Sequence, residues 1–83
     1  MRIRKQEIGE CNIIGVRVEQ RRKELGMKQK ELLTALQIEG IEMNASGLSK
    51  LEGQIRKVSD YDLVALAKIL TVSVNTLLGL ENE

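Results

Sequence analysis

The chain has 83 residues, enough for one domain but not for two, and its formal net charge of +1 is a weak argument for a nucleic-acid partner. It has no His and no Pro, one aromatic residue (Tyr61) and one cysteine (Cys11), so an aliphatic core between helices is favoured over a sheet sandwich. This composition excludes an intrachain disulfide, a zinc site of Cys and His ligands, and any mechanism with a histidine base.

The charges are distributed unevenly along the chain. Residues 1–35 are rich in Lys and Arg, whereas the stretch from Val58 onward has Lys68 alone against Asp60, Asp62, Glu81 and Glu83. A domain with one DNA-facing side has this pattern, and so does an ordinary solvated surface of uneven charge. No apolar run approaches the roughly 18 residues of a membrane span, and no signal-peptide core is visible, so we expect a cytoplasmic protein without membrane contact.

We predict one domain at residues 12–80, preceded by a polar extension (1–11) and followed by a short tail (81–83). The extension is basic and either reaches along DNA phosphates as an arm or is simply solvated. Its basic residues are Arg2, Arg4 and Lys5.

The first predicted helix begins near Asn12, a possible N-cap, and ends before Gly26, since a glycine often follows the last turn. Spacings of four and seven residues predict its apolar stripe, which is made of Ile14, Val18 and Leu25. The second helix begins near Met27 and ends before Gly40, a candidate left-handed cap. Its inner face is predicted to hold Leu32, Leu33 and Leu36, with Ile38 near its end.

Asn44 is predicted to cap a third helix, which ends at Gly53. Met43 before the cap and Leu48 after it are placed as a hydrophobic staple. Leu48 and Leu51, three residues apart, should point inward, so the other residues of this helix face away from the core.

Ser59 and Asp62 are spaced as a capping box for a fourth helix. The inner stripe of this helix is predicted to be Leu63, Leu66, Ala67 and Leu70. Ser73 is predicted to cap a short fifth helix, which ends at Gly79. Its apolar residues either complete the core or form a homodimer interface on the C-terminal face. They are Val74, Leu77, Leu78 and Leu80.

Several pieces of the chain occur in the order and spacing of one known family. They are residues 14–18 (IGVRV), Arg22, residues 26–32 (GMKQKEL), residues 48–52 (LSKLE) and residues 66–74 (LAKILTVSV). Residues 14–80 thereby resemble the Xre-type, phage-repressor-like helix-turn-helix family, in its branch with a lengthened turn between helices 2 and 3. The resemblance implies an all-α, compact five-helix bundle that binds double-stranded DNA in transcriptional regulation, often as a homodimer.

The resemblance also assigns roles to residues. Gln29 matches a residue that contacts the DNA backbone and braces the recognition helix, which is predicted at residues 44–52. Arg22 and Glu52 match an ion pair that ties helix 1 to the end of the recognition helix. The predicted DNA-contact positions are Lys28, Gln29, Asn44, Ala45, Ser46, Ser49, Lys50, Arg56 and Lys57, the last two in a loop that commonly touches phosphate.

The chain departs from the family pattern at three places. Residues 39–43 form a longer turn than in the phage repressors, which leaves the tilt of the recognition helix open. Lys28 stands where a Ser or Thr cap is usual, and Gly53-Gln54 replaces the usual Asn-Gly.

The predicted groove face carries few side chains that read bases. Lys50 is its one long donor and is able to reach guanine, Ser46 and Ser49 can bond to bases or phosphates, and Ala45 can touch a thymine methyl group. We therefore expect modest direct readout, supported by phosphate contacts and DNA shape.

A second function stays open: a protein-interaction or antitoxin-like module that keeps the fold without sequence-specific DNA binding. The short side chains of Ala45, Ser46 and Gly47 and the near-zero net charge favour it. An enzyme is not expected, because no nucleophile–base pair, phosphate loop or metal cluster is recognisable. We expect no cofactor, metal or small-molecule ligand.

Overall fold

The computed structural model describes residues 11–80, which form five α-helices and, within this range, no β-strand. The helices are α1 (Gly15–Glu24), α2 (Gln29–Ile38), α3 (Ala45–Glu52), α4 (Asp60–Leu70) and α5 (Val74–Leu78). The prediction of a compact, all-helical domain is therefore confirmed for this range. The basic residues predicted to extend the domain at its N-terminus, and the tail at residues 81–83, lie outside it.

One aliphatic core holds the helices together, and every helix contributes to it. Packing is tightest between α3 and its neighbours α1 and α2, and between α4 and α1, α2 and α5. Burying one leucine side chain stabilises a fold by about 1.5–3 kcal/mol, so the fully buried side chains of this core supply most of the favourable free energy of folding. The fully buried side chains are Val18, Leu32, Leu36, Leu48, Leu51, Leu66, Leu70 and Leu77.

The three predicted caps of the later helices are confirmed. Asn44 Oδ1 accepts from the Gly47 N–H at 2.7 Å, which satisfies one free donor in the first turn of α3. The Ser59 hydroxyl accepts from the Asp62 N–H at 3.1 Å, and the Asp62 carboxylate accepts from the Ser59 N–H at 3.3 Å. Ser73 likewise accepts from the Thr76 N–H at 3.0 Å.

The predicted helix ends at Gly26 and Gly40 are also confirmed. Both residues have positive φ, +70° and +87°, which L side chains rarely adopt. After α3 the order differs: Gly53 occupies the C-cap with φ −83°, and the left-handed residue is Gln54 with φ +66°. Gln54 is therefore a non-glycine residue in the left-handed region, which L side chains rarely adopt.

Two predictions about α1 were wrong. The N-cap of α1 is Ile14 rather than Asn12, and the helix begins at Gly15; Asn12 lies before it and accepts from the Ile14 and Gly15 N–H groups. Leu25 lies at the C-cap of α1 and is 42% exposed, so it is not part of the inner stripe. Ile38 is the last residue of α2, near the helix end as predicted, and is 79% exposed.

Candidate nucleic-acid interface

Helix α3 divides into a buried and an exposed face. Gly47, Leu48, Leu51 and Glu52 are buried. The exposed residues lie one turn apart on the opposite side, and they are Ala45, Ser46, Ser49 and Lys50. Four of the predicted groove-facing positions therefore share one solvent-facing surface, with the Asn44 cap, also exposed, at its start.

A buried ion pair anchors the C-terminal end of α3 to α1. Arg22 Nε donates to Glu52 Oε2 at 2.7 Å, and a second guanidinium nitrogen donates to Glu52 Oε1 at 3.1 Å. Both residues are buried, with 7% and 6% of their surface exposed. A third donation, from Arg22 to the Met27 carbonyl at 2.9 Å, links the pair to the turn before α2. This two-point contact fixes both the position and the rotation of α3.

The pair also affects the ionisation of the arginine. The pKa of Arg22 is raised above its ordinary value, first because its guanidinium donates to Glu52, with the negative charges of Glu52 and Glu19 adding to the increase. Burial acts in the opposite direction and is outweighed. Arginine is already protonated throughout the working pH range, so the raised pKa does not change the charge of Arg22 there.

Gln29 connects the ion pair to the exposed face of α3. Its Nε2 donates to Glu52 Oε1 at 2.9 Å, and its Oε1 accepts from the Ser49 hydroxyl at 3.4 Å. A carboxylate accepts only, so the amide nitrogen must face Glu52 and the amide oxygen must face Ser49. The Ser49 hydroxyl therefore donates towards Gln29, over a long distance, and its oxygen keeps lone pairs that can accept.

Two further residues hold the C-terminal end of α3, and the sequence analysis missed both of these roles. Asn12 Nδ2 donates to the carbonyls of Leu51, at 3.1 Å, and Arg56, at 2.8 Å. Gly15 lies against the Leu51 and Glu52 carbonyls so closely that a Cβ would collide with them. A glycine at the first position of a helix is a weak sequence signal for a close backbone contact such as that of Gly15. The carbonyls that accept from Asn12 lie 39 and 44 residues away in the chain, and no sequence signal marks them.

Arg56 lies across the N-terminal turn of α3. A Cβ added to Gly47 would be 2.6 Å from a terminal guanidinium nitrogen of Arg56, so Gly47 is the residue that gives this side chain room. Arg56 also lines an open groove of about 490 Å³ with Gln37, Glu42 and Met43. A guanidinium beside free N–H groups at a helix start is favourable for an anion such as phosphate.

The remaining predicted cations lie on α3 or next in sequence to residues that contact it. Lys28 lies at the N-cap of α2, one residue before Gln29, and its backbone N–H donates to Glu31 at 2.7 Å. Lys57 follows Arg56, and the side chains of Lys28, Lys50 and Lys57 are exposed. The positive side chains thus lie at the start of α2, in the last turn of α3 and in the loop between α3 and α4.

Other kinds of site find little support in residues 11–80. No cluster of three or more Cys, Asp or Glu side chains in this range is arranged to hold a metal ion. None of the helices there has the length and apolar character needed to cross a lipid bilayer.

Comparison with known proteins finds no match for this chain: no protein-family model, no curated protein and no solved structure is significantly similar to it.

Proposed function

We propose that the protein is a DNA-binding transcriptional regulator of the Xre-like helix-turn-helix kind, with α2 and α3 as the two helices and α3 in the major groove. A homodimer would place two α3 helices on a palindromic site, about 34 Å or one DNA turn apart. A cytoplasmic location follows from this function.

The observation that carries the proposal is the hydrogen-bonded network of Arg22, Glu52, Gln29 and Ser49. It runs from buried groups to the exposed face of α3 and holds α2 and α3 in one relative orientation. A reading surface needs such support, because base contacts depend on side chains placed within about 0.5 Å. The Arg22–Glu52 pair alone would stabilise the fold without any ligand, so the proposal rests on its extension through Gln29 to Ser49 on the exposed face.

The network also predicts how individual side chains read DNA. Ser49 presents acceptor lone pairs, which match the exposed amino groups of adenine or cytosine in the major groove. Lys50 offers donors that match guanine, and Ala45 offers a methyl group for thymine. The second N–H of Gln29, with Arg56 and Lys57, is assigned to phosphates.

Alanine at two positions should separate base reading from phosphate contact. Lys50→Ala should weaken binding to a selected site by about 1–3 kcal/mol and reduce the preference over random duplex, because it removes a base contact. Gln29→Ala should weaken binding to both duplexes, because it removes a phosphate contact. The measurement is duplex binding at one fixed salt concentration, after selection of bound sites from a random pool.

Lys23→Ala is the matched control, because it removes an exposed lysine of α1 that is not among the predicted DNA contacts, and it should leave binding to both duplexes unchanged. Equal losses on both duplexes for Lys50→Ala would remove it as a base reader. Failure to select any consensus would count against sequence-specific binding.

The alternative is a protein-interaction or antitoxin-like module that does not use the exposed face of α3 for DNA. Its support is that three of the four exposed residues of that face, Ala45, Ser46 and Ser49, have short side chains. Absence of any duplex binding at low salt, where phosphate contacts are strongest, would favour this alternative.

A further inference from the structure

Helix α4 carries an apolar surface that the proposed DNA contact does not use. Tyr61, the only aromatic residue of the chain, is 79% exposed, and Val64, one turn later, is 59% exposed. With Ile41 and Ala65, they line an open groove of about 490 Å³. We call this surface the α4 patch; the charged residues Asp60, Lys68 and Glu39 also line it.

The C-terminal face offers less apolar surface for a partner. Leu77 is 1% exposed and belongs to the core, and Val74 and Leu78 are partly buried against it. In the stretch from Ser73 to Leu80, strong exposure of an apolar side chain is confined to Leu80, which has 64% of its surface exposed. A dimer interface there would have to be built largely without apolar contacts.

The charges of the α4 patch are complementary to those of a second copy of itself. Asp60 lies four residues before Val64, and Lys68 lies four residues after it. When two α4 helices pair antiparallel about a two-fold axis at Val64, Asp60 of each copy lies opposite Lys68 of the other. Each charge is then about 6 Å along the helix from the two-fold axis. Because of the two-fold symmetry, the Asp60–Lys68 contact occurs twice in the dimer.

The remaining contacts of this pairing are also favourable. Lys68 donates to Glu39 at 3.2 Å, but an ammonium has three donors and keeps two for Asp60 of the second copy. The two Val64 side chains meet at the axis, and each Tyr61 ring faces the groove beside Ala65 of the other copy. Tyrosine is enriched in interface cores, which accounts for an exposed aromatic side chain in a chain otherwise without one.

We propose that the α4 patch is an isologous homodimer interface, with two α4 helices antiparallel about Val64 and reciprocal Asp60–Lys68 contacts. It supplies the homodimer of the proposed function, on α4 rather than on the C-terminal residues. The association needs no DNA, so its test is independent of DNA binding.

The first test places a charge at the axis. Val64→Glu brings two carboxylates together and should raise the dimer dissociation constant about 30-fold or more. Val16→Glu is the matched control, because Val16 is a helical valine of similar exposure, 52%, on α1. Sedimentation equilibrium of the full chain measures both, and circular dichroism checks that both variants are folded. The dimer is expected to persist in Val16→Glu.

The second test checks the register. Asp60→Lys alone and Lys68→Glu alone each create two like-charge contacts in the homodimer and should weaken it about tenfold or more. An equimolar mixture of the two variant chains restores both attractive contacts, so heterodimers should form with a dissociation constant near that of the wild type.

A wild-type chain that is monomeric at every concentration would overturn the proposal and leave the α4 patch to a different partner. Equal dimerisation of Val64→Glu and wild type would also overturn it, and so would a mixture of charge variants that fails to associate. If the wild type dimerises through α4 but binds no duplex, the interface stands and the proposed function fails. If it binds duplex but never dimerises, the proposed interface fails and the proposed DNA binding stands.

Discussion

Arg22 stabilises the fold before it serves any ligand. Arg22→Ala would leave the Glu52 carboxylate, 6% exposed, without its cation, and removal of one partner of a buried pair costs about 3–5 kcal/mol. We expect a large fall in melting temperature, with loss of DNA affinity as its consequence. Thermal unfolding followed by circular dichroism measures the first effect, and duplex binding at low temperature measures the second.

Lys23→Ala is the control for this change. Lys23 is next in the chain and pairs with Glu19 at 3.0 Å, but both side chains are largely exposed, so its loss should change stability by less than about 1 kcal/mol. An Arg22→Ala protein with unchanged melting temperature and no DNA affinity would contradict this prediction. Arg22 would then act on DNA binding directly and not through stability.

At the scale of the element, the start of α3 combines a structural and a proposed binding role in Asn44. Asn44→Ala removes the acceptor for the Gly47 N–H and should destabilise the protein by about 1 kcal/mol. Asn44→Asp keeps an acceptor there and adds a negative charge that the helix start favours, so stability should be maintained. The same charge repels phosphate, so duplex affinity should fall for Asn44→Asp despite an intact helix.

Chemical denaturation and duplex titration of the two variants separate the roles of Asn44. Unchanged affinity in Asn44→Asp would mean that the start of α3 does not approach the DNA backbone. Glu42→Gln, a change of charge in the preceding turn that leaves the cap untouched, tests how far the electrostatic effect extends.

The helices were predictable from sequence to the extent that their signals are local. Asn44, Ser59 and Ser73 cap helices through hydrogen bonds to residues three positions away, so the pattern is contained in a few residues. Leu25 was misjudged because the apolar periodicity of α1 continues past Glu24, the last residue of that helix. At the candidate site, the alignment of Arg22 with Glu52 came from a resemblance, whereas the Asn12 and Gly15 contacts depend on tertiary packing alone.

At the scale of the whole molecule, the distribution of positive charge makes a quantitative prediction. The cations that the proposal assigns to phosphates or leaves free to reach them are Lys28, Arg56 and Lys57, whereas Lys50 is assigned to a base. If these three meet phosphates, the logarithm of affinity should fall with the logarithm of salt concentration with a slope of about −2.7 for each protomer. Lys57→Ala should reduce that slope by about 0.9, as measured by duplex titration at several salt concentrations.

Lys23→Ala, which removes a charge on α1, should leave the salt slope unchanged. A slope near zero in the wild type would mean that few phosphates are contacted and that the net charge of +1 describes the protein better than its local charge distribution does.

Helix α3 keeps its anchoring and its exposed residues separate. The anchor consists of Leu48, Leu51, Glu52 and backbone carbonyls that face Gly15, whereas Ala45, Ser46 and Lys50 make none of these contacts. Mutations at those three positions can therefore accumulate without loss of the fold. Evolution is free to vary the exposed surface of this small domain, and a protein engineer could randomise it; on the proposed function, such variants would differ in DNA sequence preference.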